Sequence, residues 1–366
     1  MPTLDNNNLI CVENKKYIES YSLKSKPMIS GKAVDLNEAI TKIKNILKES
    51  NSIHIDGMDC DISTIDKVLK FAEKKKCSIN HKRAENINNL YLSFQKFGGS
   101  FTSFNELKNR SDLLVFISSD EDEISNDFFD KLGWNNKKIK KSIFFLSKKT
   151  KREKKFTIIS TNEKNIFEDI NNLNSMLKEE TLYKDKKFLE LQDAFFKSNY
   201  PVIVLDIDKS NFALVCSIYD FAYSINKTKR LRIFNLFGSG YSSGFVNSCG
   251  AKTGFPNAIF FTEKGAEYDP YQIKSSLLKE NVDLQIYISN FDNVPSVDFF
   301  KTNIYIGNPN LRDKHKFDVY IPSKTPGIDV NGLTLRPDGI SVNKLKKKID
   351  SSYESIKEIL IKISGS

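Results

Sequence analysis

The chain has 366 residues, enough for two ordinary domains, and its 39% hydrophobic content with 11% aromatics supplies real cores, which excludes a disordered or low-complexity protein. Its formal charge of +10 raises nucleic-acid binding, but no recognition motif accompanies the charge. Lys, Asn, Ile and Phe have codons built from A and T alone, so a biased genome explains the basic excess, and no nucleic-acid partner is expected.

Five cysteines (Cys11, Cys60, Cys77, Cys216, Cys249) form no C-x-x-C, and three histidines (His54, His81, His315) lie far apart without zinc spacing. A metal site assembled from distant residues stays open. No apolar stretch reaches the length of a membrane span or a signal h-region, so the expectation is a cytoplasmic chain with reduced thiols and no membrane contact.

Residues 1–34 hold only short apolar pieces and read as an N-terminal extension. From Asp35 onward, Leu36, Ala39, Ile40, Ile43, Ile46 and Leu47 recur at helical spacing behind an Asp N-cap. A strand follows at Ser52–Gly57, a helix carries Ile62, Ile65, Val68, Leu69 and Ala72, and Cys77–Asn80 is a second strand. Strand, helix, strand implies parallel pairing with a right-handed crossover. Asp112–Ile117 and Ser142–Leu146 are near-continuous apolar runs, suited to strands buried on both faces.

The polar, helix-prone stretch from Asn162 to Lys197 reads as the domain boundary, giving α/β domains over 35–195 and 196–366. The second series comprises a strand at Pro201–Leu205, a helix near Phe212–Ala222 and strands at Leu231–Phe237, Ala258–Phe261, Val282–Ile288, Asn303–Ile306 and Asp318–Ile321. A final helix carries Leu345, Ile349, Tyr353, Ile356, Ile359 and Leu360 on one face. The expected architecture is two α/β units on mostly parallel sheets.

The segment Gly238-Ser-Gly-Tyr-Ser-Ser-Gly244 follows a strand directly, and glycines there (Gly238, Gly240 and Gly244, around Tyr241) let backbone amides approach a phosphate or cofactor tail. It departs from the dinucleotide fingerprint: the third glycine falls one residue late, and Phe245–Thr253 does not read as a helix.

From this loop onward, Thr253-Gly254-Phe255-Pro256, Lys264-Gly-Ala-Glu-Tyr-Asp-Pro-Tyr271 and Val282-Asp283 appear in order, followed by Asp318-Val-Tyr-Ile-Pro322, Pro326-Gly-Ile-Asp329 and Leu335-Arg336-Pro337-Asp338-Gly339. Together they resemble the C-terminal half of the B-type subunits of formylmethanofuran dehydrogenase. Asp35–Ile40, Gly57 and Glu106–Val115, with its Arg-Ser-Asp-Leu-Leu-Val core, agree more loosely. That resemblance implies the molybdopterin-oxidoreductase fold of the formate dehydrogenase and DMSO reductase type, with stacked Rossmann-like α/β domains around a pterin. In dehydrogenase members an N-terminal cysteine set holds an iron–sulfur centre and a C-H-G element ligates molybdenum or tungsten. Here Cys11 stands alone, and the region after Cys77 reads Ser-Ile-Asn-His81-Lys-Arg, without Cys-His-Gly.

The loss of both elements is similar to the B-type member of the formyltransferase/hydrolase complex of methylotrophic bacteria. The resemblance then implies a non-catalytic structural subunit serving tetrahydromethanopterin-linked oxidation of formaldehyde to formate. Its partners would be the hydrolase, formyltransferase and C-type subunits and a methanofuran-like carrier, and its molybdopterin and iron–sulfur cluster would be lost. The vestigial cofactor cleft or interface would comprise His81, Gly238, Gly240, Tyr241, Gly244, Gly254, Pro256, Pro322, Arg336, Asp338 and Gly339. His81 lies near the lost ligand position, with an ordinary histidine at a strand end as the bland alternative. Leu335–Gly339 is expected to form a tight turn beside the glycine loop, with Arg336 reaching a carboxylate through its planar fork. Two further readings stand: a working formylmethanofuran dehydrogenase component with unusual ligands, and a binding protein that holds a polyglutamate-tailed carrier against its lysines.

Overall fold

A computed structural model describes residues 18–118, 126–134, 140–147, 156–160, 166–177, 186–236, 242–271, 281–293, 300–336 and 338–365, with the isolated positions 124 and 295. The chain divides into two compact units, Met1–Asn88 with Ser239–Ser366, and Asn89–Gly238.

The first unit is built on a nine-stranded sheet. Its strands are β1 (Met28–Ile29), β2 (Lys32–Ala33), β3 (Ile53–Asp59), β4 (Ser78–Ile79), β10 (Ile259–Thr262), β11 (Gly265–Tyr268), β12 (Leu284–Ser289), β13 (Thr302–Gly307) and β14 (Val319–Pro322). Their spatial order is β11-β10-β4-β3-β12-β13-β14-β1-β2. The middle run from β4 to β14 is parallel and the two flanks are antiparallel. Helix α1 (Leu36–Glu49) buries Ala39, Ile40, Ile43, Ile46 and Leu47, the stripe its sequence spacing predicts, and Asp35 caps it by accepting the Glu38 N–H. Helix α2 (Ile62–Lys75) connects β3 to β4 and buries Ile65, Val68, Leu69 and Ala72.

In the second unit β5 (Leu113–Ile117), β6 (Ser142–Ser147), β7 (Thr157–Ser160), β8 (Pro201–Asp206) and β9 (Arg232–Leu236) form a wholly parallel sheet in the order β7-β6-β5-β8-β9. Its helices are α4 (Phe104–Asn109), α5 (Asn126–Leu132), α6 (Ile166–Leu177), α7 (Lys186–Lys197) and α8 (Phe212–Ile225); α3 (Ala84–Phe97) runs across the division between units. A mixed α/β fold with mostly parallel sheets is therefore what the sequence pattern encodes.

Four sequence expectations change. The stretch 162–197 does not mark the domain boundary: Ile170 of α6 and Phe188, Leu191 and Phe195 of α7 bury in one core with Leu113 and Val115 of β5 and Ile203 and Leu205 of β8. Because β5 pairs with β8, strands assigned to the domains 35–195 and 196–366 share one sheet, and the chain divides at 88/89 and 238/239 instead. The N-terminal extension of residues 1–34 contributes β1 and β2 to the large sheet, with Met28 opposite Tyr320 of β14. The last helix is shorter than its apolar periodicity suggests. Helix α10 (Ile356–Ser364) starts at a capping box in which the Ser355 side chain and Glu358 exchange hydrogen bonds with each other's backbone N–H groups. Leu345 lies instead in β16 (Val342–Leu345), paired antiparallel with β15 (Gly332–Leu335).

Phe245–Thr253, which does not read as a helix from its sequence, belongs to helix α9 (Ser242–Thr253). Gly, Ser, Asn and Cys are poor helix formers, so intrinsic propensity misled; burial of Phe245, Val246 and Cys249 stabilises the helix instead. A Cβ on Gly244 would stand 3.7 Å from both Ile62 and Ile65, an ordinary van der Waals contact, so α9 packs against α2 here without requiring glycine.

Candidate functional site

In open α/β sheets ligands bind outside the carboxyl ends of parallel strands, where the strand order reverses. In the first unit this reversal lies between β3, whose crossover through α2 leads to β4 on one side, and β12, from which β13 and β14 step away on the other. The polar residues following these strands are buried: Asp59 and Asp61 after β3, Asn80 and His81 after β4, Asn290 after β12, Asn308 after β13 and Ser323 after β14. Burial of so many polar groups at one sheet edge requires compensating partners.

Lys82 supplies the central one. Its Nζ donates to Asp59 Oδ2 at 2.8 Å and to Asp292 Oδ2 at 3.0 Å, and the three side chains are 20%, 3% and 17% exposed. Burial alone would depress the Lys82 ammonium, but the two carboxylates outweigh it and hold its pKa above the ordinary lysine value. Burial pushes the Asp59 carboxyl up, and the Lys82 charge offsets part of that rise. Asp59 Oδ1 and Asn290 Oδ1 are buried acceptors without a hydrogen-bond partner among the described residues. Asp61 caps α2, accepting from Ser63 N at 3.2 Å, Ser63 Oγ at 2.6 Å and Thr64 Oγ1 at 2.5 Å.

A tyrosine ladder backs this edge. Tyr287, Tyr305 and Tyr320 face one another across β12, β13 and β14 in register, and the first two rings stack at 5.6 Å. The Tyr305 hydroxyl donates to Asp292 O at 2.7 Å, and the Tyr320 hydroxyl to Asn308 O at 3.1 Å, so each fixes the loop beyond a neighbouring strand end. Gly307 permits the tightest approach: at φ +155°, a Cβ there would lie 1.8 Å from Ser289 O.

The predicted site residues are brought together only in part. His81 is buried, its Nδ1 accepts the Arg83 N–H at 3.1 Å, its own N–H donates to Asn257 Oδ1 at 3.2 Å, and its ring lies 5.3 Å from Phe245 of α9. An Nδ1 that accepts places the ring proton on Nε2 and the imidazole in its neutral form. Gly244, the residue before Phe245 in α9, is buried against Ile62 and Ile65 of α2. Gly254 ends α9, donating its N–H to Gly250 O at 3.0 Å, while Thr253 Oγ1 donates to Cys249 O at 2.8 Å. Pro256 lies just beyond, following Phe255, which stacks on Tyr268 at 5.3 Å. Pro322 sits apart, paired with Gly307 at the end of β14. Gly238, Gly240 and Tyr241 lie outside the described residues.

The turn expected at Leu335–Gly339 is present. Gly339 N donates to Arg336 O at 2.8 Å, and Gly339 adopts φ +70°, which glycine tolerates without strain. Arg336 makes the anticipated fork inside the turn itself, through Nε to Asp338 Oδ1 at 2.8 Å and Nη2 to Asp338 Oδ2. Gly339 approaches Asn247 of α9, the helix that follows the glycine loop.

The other motif residues act as joints. Asp283 accepts from Asn51 N and Ser52 N, tying β12 to the start of β3. Asp318 accepts from Asn303 N at 2.8 Å. Asp329 accepts from Thr325 N, Tyr21 Oη and Ser351 Oγ. Sequence reading missed Lys82, Asp59, Asp292 and the tyrosines. The signals that could have found them were the carboxylates bracketing Cys60 at a strand end and the recurring Ile-Tyr-Ile pattern of β12 and β13.

Beside the α2 N-terminus is an open cleft of about 850 Å³, lined by Ser63, Leu333, Lys344, Lys346 and Lys348 among others. No group of three or more His, Cys, Asp or Glu side chains suited to a metal ion occurs among the described residues. No helix among the described residues is long and apolar enough to cross a membrane.

No protein-family model matches the chain, and no curated protein matches it. Solved structures do. A chain of the formyltransferase/hydrolase complex (FhcABCD) from Methylorubrum extorquens, crystallised in complex with methylofuran, superposes with a TM-score of 0.80 at 15% identity. The match covers 93% of this chain and 98% of that one. Acetylene hydratase from Pelobacter acetylenicus superposes with a TM-score of 0.54 at 13% identity, over 97% of this chain and 64% of that one.

Proposed function

We propose that this chain is a structural, non-catalytic component of a formyltransferase/hydrolase complex, corresponding to its B-type member, in tetrahydromethanopterin-linked one-carbon oxidation. The observation that carries the reading is the match along nearly the whole of both chains to a component of such a complex. The molybdopterin-oxidoreductase ancestry implied by the sequence motifs belongs to the same proposal.

The donor chemistry supports a subunit without redox cofactors. Iron–sulfur clusters and thiolate-ligated metals need ionised cysteines. Burial pushes the Cys77 thiol up to about 12, and burial likewise raises Cys249 and Cys60, the latter further opposed by Asp59 and Asp61. Where the dehydrogenase family places its metal-binding Cys-His-Gly, this chain has a neutral buried His81 and a Lys82 locked between two carboxylates. These residues do not fit a thiolate-held metal. Lys82, kept protonated, is no nucleophile, and His81 has its Nδ1 lone pair engaged by backbone. Asp59, Lys82 and Asp292 instead tie the loops after β3, β4 and β12 together across the position a ligand would take. The carboxylate-bridged lysine thus serves as a strut.

One observation favours a second reading: the lysine-lined cleft beside Ser63 suits the acidic tail of a methanofuran-like carrier. Purification of the tagged chain from its host, followed by native mass spectrometry, tests the main proposal. Transferase, hydrolase and C-type subunits should accompany it in fixed stoichiometry. Recovery of a monomer bearing molybdopterin would overturn it.

A further inference from the structure

The hairpin β15–β16 stands outside the large sheet and has two unlike faces. Cross-strand partners share a face, and successive residues alternate. Thr334 points inward and is buried; beside it a Cβ on Gly332 would meet Pro326 at 2.6 Å and Asp61 at 3.3 Å, so this face lies tight against the body of the unit. Leu333 and Val342 belong to the opposite face, with Ile340 at the turn, and they are 39%, 57% and 63% exposed. Lys344 pairs with Leu333 on that same outward face, and Lys346 and Lys348 continue along the exposed edge. The Arg336–Asp338 pair lies within the turn and stiffens the hairpin.

Exposed apolar residues with a polar rim mark a protein-binding surface, and the rim here is mainly lysine, with Lys347 paired to Asp350. We infer that the outer face of β15–β16, through Leu333, Ile340 and Val342 with Lys344, Lys346 and Lys348 at its rim, docks a folded partner protein that presents an apolar patch bordered by carboxylates. A second copy of this chain is the wrong occupant, because a two-fold pairing of this face would set lysines against lysines. A flexible polyanion would engage the lysines but gain nothing from Ile340 and Val342. The inference rests on the proposed membership of a multi-subunit complex and assigns the surface through which this chain enters it.

The test co-expresses the chain with the transferase, hydrolase and C-type subunits of its own host and follows assembly by native mass spectrometry and amide hydrogen exchange. Wild type should assemble, with slowed exchange over residues 332–348. Ile340→Asp/Val342→Asp and Lys344→Glu/Lys346→Glu/Lys348→Glu should each lower recovered complex by at least about tenfold while melting as wild type does when isolated. Tyr223→Asp, an exposed change in the second unit, should assemble normally. Normal assembly of both hairpin variants, or unchanged exchange over 332–348 in the wild-type complex, overturns the docking face and leaves complex membership standing. Failure of wild type to assemble overturns membership and the docking face together. Protection of 332–348 by poly-L-glutamate but not by the subunits overturns the inference in favour of a carrier site.

Discussion

Replacing Lys82 by Met probes the strut at the strand ends most sharply. Lys82 contacts two carboxylates at 2.8 and 3.0 Å, and at an effective dielectric near 20 each contact is worth roughly 6 kcal/mol before desolvation is subtracted. Met keeps most of the aliphatic stem but leaves Asp59, 3% exposed, as an uncompensated buried charge near Asp292. Breaking a buried ion pair from one side costs about 3–5 kcal/mol. For a unit of this size that is a fall in melting temperature of about 6–20 °C. The double variant Asp59→Asn/Lys82→Met removes the stranded charge and should be more stable than Lys82→Met alone, with a coupling energy above about 1 kcal/mol.

The pH dependence has a defined sign. Burial raises the folded-state Asp59 pKa, so its protonated form is favoured in the fold, and stability from this group is present at low pH and lost as pH rises through the folded pKa. Removing Lys82 raises that pKa further. The deficit of Lys82→Met relative to wild type should therefore be smallest near pH 4 and widen towards neutrality. Thermal melts across that range, with urea unfolding at 25 °C, measure both effects. A deficit below about 1 kcal/mol that does not change with pH would refute the strut.

Other perturbations address other joints. Gly307→Ala drives a Cβ to 1.8 Å from the Ser289 carbonyl, backbone that cannot rotate away, and should abolish soluble expression; a normal melt would show that β13 shifts freely. Arg336→Ala removes both guanidinium donors from the Asp338 carboxylate, 2% exposed, and should cost about 1.5–3 kcal/mol in urea unfolding while turnover per assembled complex stays unchanged. Burial alone would raise the Asp112 pKa, but hydrogen bonds from Ser198 Oγ, Asn199 N and Tyr200 N outweigh it and hold it low. That stability is present above the unfolded value near 3.9 and lost as pH falls through the lower folded value, a loss that Asp112→Asn should abolish in acid titrations.

The sequence made the elements legible wherever burial imposed a period. The α1 stripe from Ala39 to Leu47 and the apolar runs of β5, β6 and β8 match because one-sided or two-sided burial writes itself into residue spacing. Helix α9 was illegible because tertiary packing around Gly244 and Phe245 overrides weak propensity. The domain boundary was misplaced for a similar reason: α6 and α7 look polar, yet Phe188, Leu191 and Phe195 form a narrow buried seam. At the site, the Arg336–Asp338 turn was readable because its contacts are local. The Asp59–Lys82–Asp292 bridge joins loops separated by up to 233 positions, and no local pattern carries a contact formed by sheet order. His81 drew notice as a lone histidine, while the neighbouring Lys82 carries the larger electrostatic load.

Formate release from a formyl-carrier substrate, compared for the purified chain, for the transferase, hydrolase and C-type subunits together, and for the reconstituted complex, tests the proposed role most directly. The chain alone should release none, and turnover should appear with the partner subunits and be retained in the complex it helps to assemble. Formate release by the chain alone, purified free of those subunits, would contradict a structural role and place catalysis within this protein.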